Sequence, residues 1–305
     1  MDSLWRSSPP QANLFPSILD HYITFDALNY DDTLKQLSPM AHKVTHVFWV
    51  AIQVRENEES NIAANSTMLD NVIKVLKSAT TSRLCDHVTL QTGSKHYIGP
   101  IFDPILGSEV MNHEAPFQED MPRLSYPNFY YALEDLLASY SPSLTYSEHR
   151  SSTIIGVSSR SFYNIFLTLF VYATICHYEG LPFRYPGTKY TWEHFCDVSD
   201  ACVLAEQQIW AAVTDGAKNQ AFNCTNGDVF TWKSLWKVLC EVFDFGFVPF
   251  DENEKFDWVG MMKDKERVWD EIVENYGLCK TNMEEIVSVE AVDAICILVF
   301  NLLVA

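Results

Sequence analysis

A chain of 305 residues that is 48% hydrophobic and 13% aromatic has the material for a large core, so its formal charge of −19 does not describe a disordered acidic tail. With 40 acidic against 21 basic side chains it carries no basic stripe to displace phosphate counterions, which argues against nucleic acid and anionic membrane surfaces as partners. What remains is an enzyme-sized globule suited to a small, neutral, apolar ligand.

Residues 1–19 cluster Ser, Pro and Asn without periodicity and read as an irregular segment, lacking the basic and apolar blocks of a secretory signal. HYITFDAL (21–28) reads as a strand ending at Asp26, and VTHVFWVAI (44–52) as an apolar strand buried on both faces of a parallel sheet. Over 57–79, Ile62, Met68, Val72, Val75 and Leu76 recur at three- and four-residue spacings and predict one apolar helix face. A strand around Val88–Leu90, a helix over 127–140 and a strand over 144–157 follow. Strands alternating with helices predict an α/β fold, a Rossmann-like doubly wound parallel sheet. Beyond residue 158 come helices over 161–180, 199–213 and 231–243, a mainly helical lid expected to cap the carboxyl ends of the strands. The apolar last segment, AVDAICILVFNLLVA, is too short for a bilayer span and is expected to be a core element. Eight cysteines without paired metal-site spacing, several inside apolar segments, are expected as buried free thiols of a cytoplasmic protein.

A sheet of this kind commonly holds a dinucleotide on a G-x-G-x-x-G turn. No such turn occurs: no two of the eleven glycines lie closer than Gly93 and Gly99, which also excludes a phosphate loop. Either the chain binds no dinucleotide, or the first strand-turn-helix unit is missing and the sheet is N-terminally incomplete.

Lys95, in TGSKHYIGP (92–100), follows a predicted strand end, and Tyr130 opens a predicted helix. A phenol beside an ammonium makes a proton donor or oxyanion partner for a carbonyl or enone. On spacing alone the simpler reading is an exposed lysine and a half-buried aromatic. His42 and His46 lack a third metal ligand and read as surface residues, and without G-x-S-x-G there is no nucleophile elbow. Asp197, Asp200, Glu134 and Asp135 read as helix-end and surface carboxylates rather than as paired glycosidase acids.

Six segments in order, THVFWV (45–50), LQTGSKHYIGP (90–100), EDMPRLSYPNFYYALED (119–135), AEQQIWAA (205–212), AFNCTNGDVFTWKSLWKVL (221–239) and MMKDK (261–265), closely resemble the plant progesterone 5-beta-reductase and iridoid synthase family. The resemblance spans about residues 20–285 and implies an atypical extended short-chain dehydrogenase/reductase that reduces activated C=C bonds with NADPH. It implies Lys95 and Tyr130 as the catalytic pair and Tyr131 as packing. Cofactor contacts would come from Asp26, Phe48, Val50, Thr92, Gly93 and Ser151, and substrate contacts from Ile101 and Phe102. The domain reading becomes an irregular 1–19, a partial NADP-binding Rossmann domain over 20–157, and a substrate-binding lid region over 158–305 interleaved with the sheet. Departures go with it: the glycine-rich turn and basic pair are missing, HRSSTIIG (149–156) has Ser151 where the family has proline, and the family's further C-terminal residues are absent. These imply weak cofactor binding and weak or lost activity. The alternatives are a non-catalytic pseudo-enzyme that heterodimerises with an intact homologue, or an incomplete gene model. The expected ligand is an apolar enone, steroid or monoterpene, with no nucleic acid, membrane or metal, in a monomer or a homo- or heterodimer.

Overall fold

The structure is a computed structural model that describes residues 21–78, 85–99, 113–156, 158, 163–254 and 256–288. In chain order its sheet-bearing part runs α1 (Tyr30–Ala41), β1 (His46–Trp49), α2 (Glu58–Ser78), β2 (His87–Gly93), α3 (Lys95–Ile98), α4 (Phe129–Ser139), β3 (Thr145–Ser151) and β4 (Thr153–Ile155). The rest is α5 (Ile165–Glu179), α6 (Lys189–Glu193), β5 (Phe195–Cys196), β6 (Val198–Asp200), α7 (Ala201–Val213), β7 (Gln220–Cys224), β8 (Phe230–Thr231) and α8 (Trp232–Val242), then α9 (Trp258–Met262), α10 (Glu266–Asn275) and α11 (Met283–Ile286). The main sheet is parallel throughout, in the order β1-β2-β3-β7. This is the α/β, Rossmann-like arrangement that the alternation of strands and helices predicts.

The two-residue period of β2 and β3 separates two unlike faces. Val88 and Leu90 meet Leu69, Ile73 and Leu76 of α2 and Leu133 and Leu137 of α4 in one apolar core. Each of these fully buried side chains contributes about 1.5–3 kcal/mol. The opposite face is polar and buried: His87 bonds Thr145 (3.0 Å) and Ser147 (3.1 Å), and His149 bonds Ser147 (3.1 Å) and Gln207 of α7 (2.8 Å). Gln208 of α7 reaches Gln91 (3.1 Å), so α7 lies on the sheet through directional bonds. A second core gathers Tyr172, Phe183, Trp236 and Trp258, with Phe183 stacked on Trp236 at 4.2 Å between centroids.

Three expected strands come out differently. Residues 21–28 form none: among the described residues β1 is the last strand of the sheet, so no ladder reaches them. They are held by side chains instead, Asn71 donating to the Ala27 (2.9 Å) and Leu28 (3.3 Å) carbonyls. For the same reason 44–52 is not buried on both faces; the strand shortens to His46–Trp49, with Phe48 44% and Val50 59% exposed. The strand expected over 144–157 breaks at Ser152, whose amide donates to Ser199 Oγ (2.9 Å) and whose hydroxyl bonds Asp197. Past the break the chain leaves β7 and pairs with β6, Thr153 opposite Val198.

Of the described cysteines, Cys85, Cys176, Cys224 and Cys240 are buried free thiols as expected, whereas Cys202 and Cys279 are exposed, being on the outward face of α7 and in a loop. Among the described residues no helix is long and apolar enough to cross a membrane. The apolar last segment lies outside the described residues.

Candidate active site

β2 and β3 end side by side, Gly93 opposite Ser151. The strands close so tightly that a Cβ on Gly93 would stand 3.2 Å from the Ser151 carbonyl and 3.5 Å from the Tyr130 hydroxyl. Only glycine leaves that approach open. The chain then turns into α3, where Lys95 is fixed by its own backbone: the Lys95 carbonyl accepts from Tyr126 Oη (2.8 Å) and Asn128 Nδ2 (3.4 Å). The His96 carbonyl accepts from Tyr131 Oη (2.6 Å), which gives Tyr131 its packing role. Asn128 also caps α4 through the Tyr130 amide (3.0 Å), so the residues that anchor Lys95 also start the helix that presents Tyr130.

Lys95 is 5% exposed, which overturns the simple reading of a solvated loop charge. Its ammonium donates to both carboxylate oxygens of Glu58 at 2.7 Å, and Glu58 Oε1 also accepts the Phe129 amide at 2.7 Å. The ammonium lies 4.4 Å from the centre of the Phe129 ring and 5.8 Å from that of Tyr130. Burial pushes the Lys95 pKa down, and the Glu58 charge and hydrogen bond oppose it. Burial, then the charges of Glu58 and Glu148, push the Tyr130 phenol up. Tyr130 is therefore a neutral hydrogen-bond donor at physiological pH, and its hydroxyl has no hydrogen-bond partner among the described residues.

Lys95, Tyr130, Thr92, Gly93 and Ser151 line one cavity of about 340 Å³. Its far wall comes from the helical half: Ile165 and Phe166 of α5, Phe195, Val198, Phe230 and Trp232. A largely apolar concavity with a few converging polar groups is the usual form of a small-molecule site. Asp26, Phe48 and Val50 are exposed along the β1 side of the molecule and do not line this cavity. Ile101 and Phe102 lie outside the described residues. His42 and His46 are exposed, as expected.

Next to Lys95 lies a buried charge cluster, in which sequence reasoning misread Glu134 and did not single out Glu148. Glu134, expected at the surface, is 7% exposed, bonded by Arg123 (2.8 Å) and 3.3 Å from His96 Nδ1. Glu148 accepts from Arg150 and from Thr92, each at 2.7 Å. Asp197 is likewise buried rather than exposed, whereas Asp200 caps α7 and Asp135 is exposed. The burial follows from position: Glu134 faces the sheet from α4, and Glu148 stands on β3 under it.

Burial and the neighbouring Glu134 push the Glu148 carboxyl up to about 7. Its folded value lies above its unfolded one, so its contribution is complete below pH 4.5 and is lost as pH rises towards 7. His96, held down to about 3 by burial and Arg150, acts oppositely and loses its contribution as pH falls from 6.5 towards 3. Glu148→Gln should therefore remove about 3 kcal/mol of the decline in stability across the Glu148 window, which urea unfolding at a series of pH values would measure.

A model of the PRISE-like Rossmann-fold domain matches residues 17–301. The chain belongs to this family. Among curated relatives of the PRISE-like chain, (S)-8-oxocitronellyl enol synthase CYC2 of Camptotheca acuminata is 49% identical over 269 residues, covering 86% of this chain and 67% of the relative. The 3-oxo-Delta(4,5)-steroid 5-beta-reductase of Arabidopsis thaliana is 47% identical, covering 87% of this chain and 67% of the relative. The PRISE-like chain thus spans about two thirds of the length of these relatives, and they bear out the family resemblance carried by its six motifs. Among solved structures, a GDP-L-fucose synthetase from Naegleria fowleri superposes with a TM-score of 0.59 at 14% identity, covering 86% of this chain and 79% of that one. RMD from Pseudomonas aeruginosa complexed with NADPH gives 0.53 at 16% identity, covering 73% and 72%. At such identities the likeness shows the fold.

Sequence reasoning brought Lys95 and Tyr130 together and missed Glu58. In the sequence Glu58 is one of two acids in a helix's first turn, the ordinary answer to the helix dipole. Nothing local distinguishes it from Glu59.

Proposed function

We propose that the chain is a nicotinamide-dependent reductase of activated carbon–carbon double bonds, acting on an apolar enone in the cavity between the strand ends and the helical half. The observation that carries this is a neutral phenol and a buried ammonium converging on one side of a largely apolar cavity. A substrate carbonyl oxygen accepts a hydrogen bond from Tyr130. As the carbon beta to that carbonyl is reduced, negative charge gathers on the oxygen, and the Tyr130 hydroxyl stabilises the enolate or gives it its proton. The Lys95 ammonium stabilises the charge that then falls on the phenol. The aromatic wall keeps water from the enolate and favours an apolar substrate; relatives are named for a steroid and for a monoterpene-derived enol.

The described residues fit the reacting end of a dinucleotide and not its diphosphate. Thr92, Gly93 and Ser151 line the cavity beside Tyr130, and with no side chain on Gly93 a flat ring would lie against that strand end. A bound nicotinamide would supply the hydride. After β1 the chain reaches α2 through AIQVREN, without glycine, so the described residues offer no close amide cradle to the diphosphate. Weak NADPH binding and slow turnover follow. Calorimetry with NADPH and NADH, with turnover of progesterone and 2-cyclohexen-1-one, tests the reading: binding weaker than micromolar and slow reduction are expected. Absence of reduction at saturating NADPH would sink the reductase assignment, and micromolar affinity would overturn its weak-binding clause.

A further inference from the structure

We infer that Glu58 is a positioning residue of the Lys95/Tyr130 pair, fixing the ammonium with both carboxylate oxygens while docking the helix that carries the phenol. The inference deepens the reductase reading and rests on it for its catalytic meaning.

Glu58 stands on the first turn of α2, remote in sequence from both partners, yet its carboxylate joins three elements. Both oxygens accept from Lys95 Nζ at 2.7 Å, and Oε1 also accepts from the amide of Phe129, the first residue of α4 and the neighbour of Tyr130. One carboxylate thus occupies an orphan donor of a helix N-terminus and a buried cation together. The Lys95 and Glu58 side chains are 5% and 12% exposed, so solvent screens the pair little. Phe129 covers the ammonium on another side, leaving it no competing anion among the described residues. The titratable neighbours on the elements around it are Tyr126 and Tyr130, both with raised phenol pKa values, so neither supplies a negative charge in place of Glu58 at neutral pH.

Two consequences follow from this geometry. Without the carboxylate, the buried Lys95 has nothing to offset its desolvation and gives up its proton more readily. Without the bond to Phe129, the start of α4 loses one of its two side-chain anchors, the other being Asn128. The second effect is structural and the first is electrostatic, and the two separate experimentally. Glu58→Gln keeps an acceptor for the Phe129 amide and removes the charge; Glu58→Asp keeps the charge on a shorter arm.

The test is the titration of Lys95 itself, followed by carbon-13 NMR of protein labelled at the lysine ε-carbon, its resonance assigned by its loss in Lys95→Met. The midpoint should move towards acid by about one pH unit or more in E58Q and return most of the way in E58D. Where E58Q also lowers kcat, the loss should be greater at alkaline pH, because deprotonated Lys95 is the inactive form. An unmoved midpoint in folded E58Q, or a loss of kcat equal at every pH, would overturn the inference. The NMR readout needs no turnover. A wild-type chain that reduces nothing while Lys95 still shifts in E58Q leaves Glu58 holding Lys95 and overturns only the reductase reading. Should E58Q not fold, E58D alone decides: a slower rate, with the Lys95 midpoint held or moved towards acid, supports the inference, and an unchanged midpoint with an unchanged rate overturns it.

Discussion

Tyr130→Phe is expected to lower kcat for enone reduction by about 10²–10³-fold, the usual effect of removing one oxyanion donor, while leaving the melting temperature nearly unchanged. The separation of the two effects is the informative part. The Tyr130 hydroxyl has no hydrogen-bond partner among the described residues, so its removal orphans no buried group, and the ring keeps its contact with Phe129 at 4.5 Å between centroids. Tyr131→Phe should behave in the opposite way, because its hydroxyl holds the His96 carbonyl and its loss is felt in stability first. Steady-state kinetics at saturating NADPH, paired with thermal unfolding of both variants, checks this. If Tyr130→Phe retains more than a tenth of the wild-type kcat, the phenol is not the donor to the enolate.

Lys95→Met is expected to destabilise the fold by about 3–5 kcal/mol, because it strands the Glu58 carboxylate in a site with little solvent. The double variant Lys95→Met/Glu58→Gln should recover most of that loss, since the stranded charge is gone while the Phe129 amide keeps an acceptor. Urea unfolding of the two single variants and the double one closes the cycle. Both the single and the double variant should lack reductase activity, so recovered stability without recovered turnover separates the two roles of the lysine. A single variant as stable as the wild type would mean that the buried pair contributes nothing.

The parts legible in the sequence were those written in local period and in motif. The α2 face was readable because Met68, Val72, Val75 and Leu76 repeat at helical spacing, and β2 because Val88 and Leu90 alternate with polar residues. Lys95 and Tyr130 were found through motif resemblance, since their spacing alone favoured an exposed lysine. The parts not legible depend on partners that sequence order conceals. Whether 44–52 is central or at an edge depends on what lies beside it, and the apolar run VFWV is the same in both cases. Glu134 and Asp197 look like surface acids until Arg123 and Ser152 arrive from outside their own elements. Glu58 is the sharpest instance, an acid whose role is set wholly by two segments distant in the chain.

The break at Ser152 has a mechanical consequence. One continuous stretch of backbone, 145–155, is hydrogen-bonded to the main sheet on one side of that serine and to the small β4–β6 sheet on the other. The cavity opens over this handover, with residues packed to each of the two cores on its walls. A ligand seated there acts as a rivet, because either core loses part of the binding surface when it opens. Occupancy at 100 times the dissociation constant adds about 2.7 kcal/mol against any unfolding that breaks the site. Ligand binding therefore makes the melting of the two cores one event, and a chain whose site stays empty is the one in which they can come apart separately.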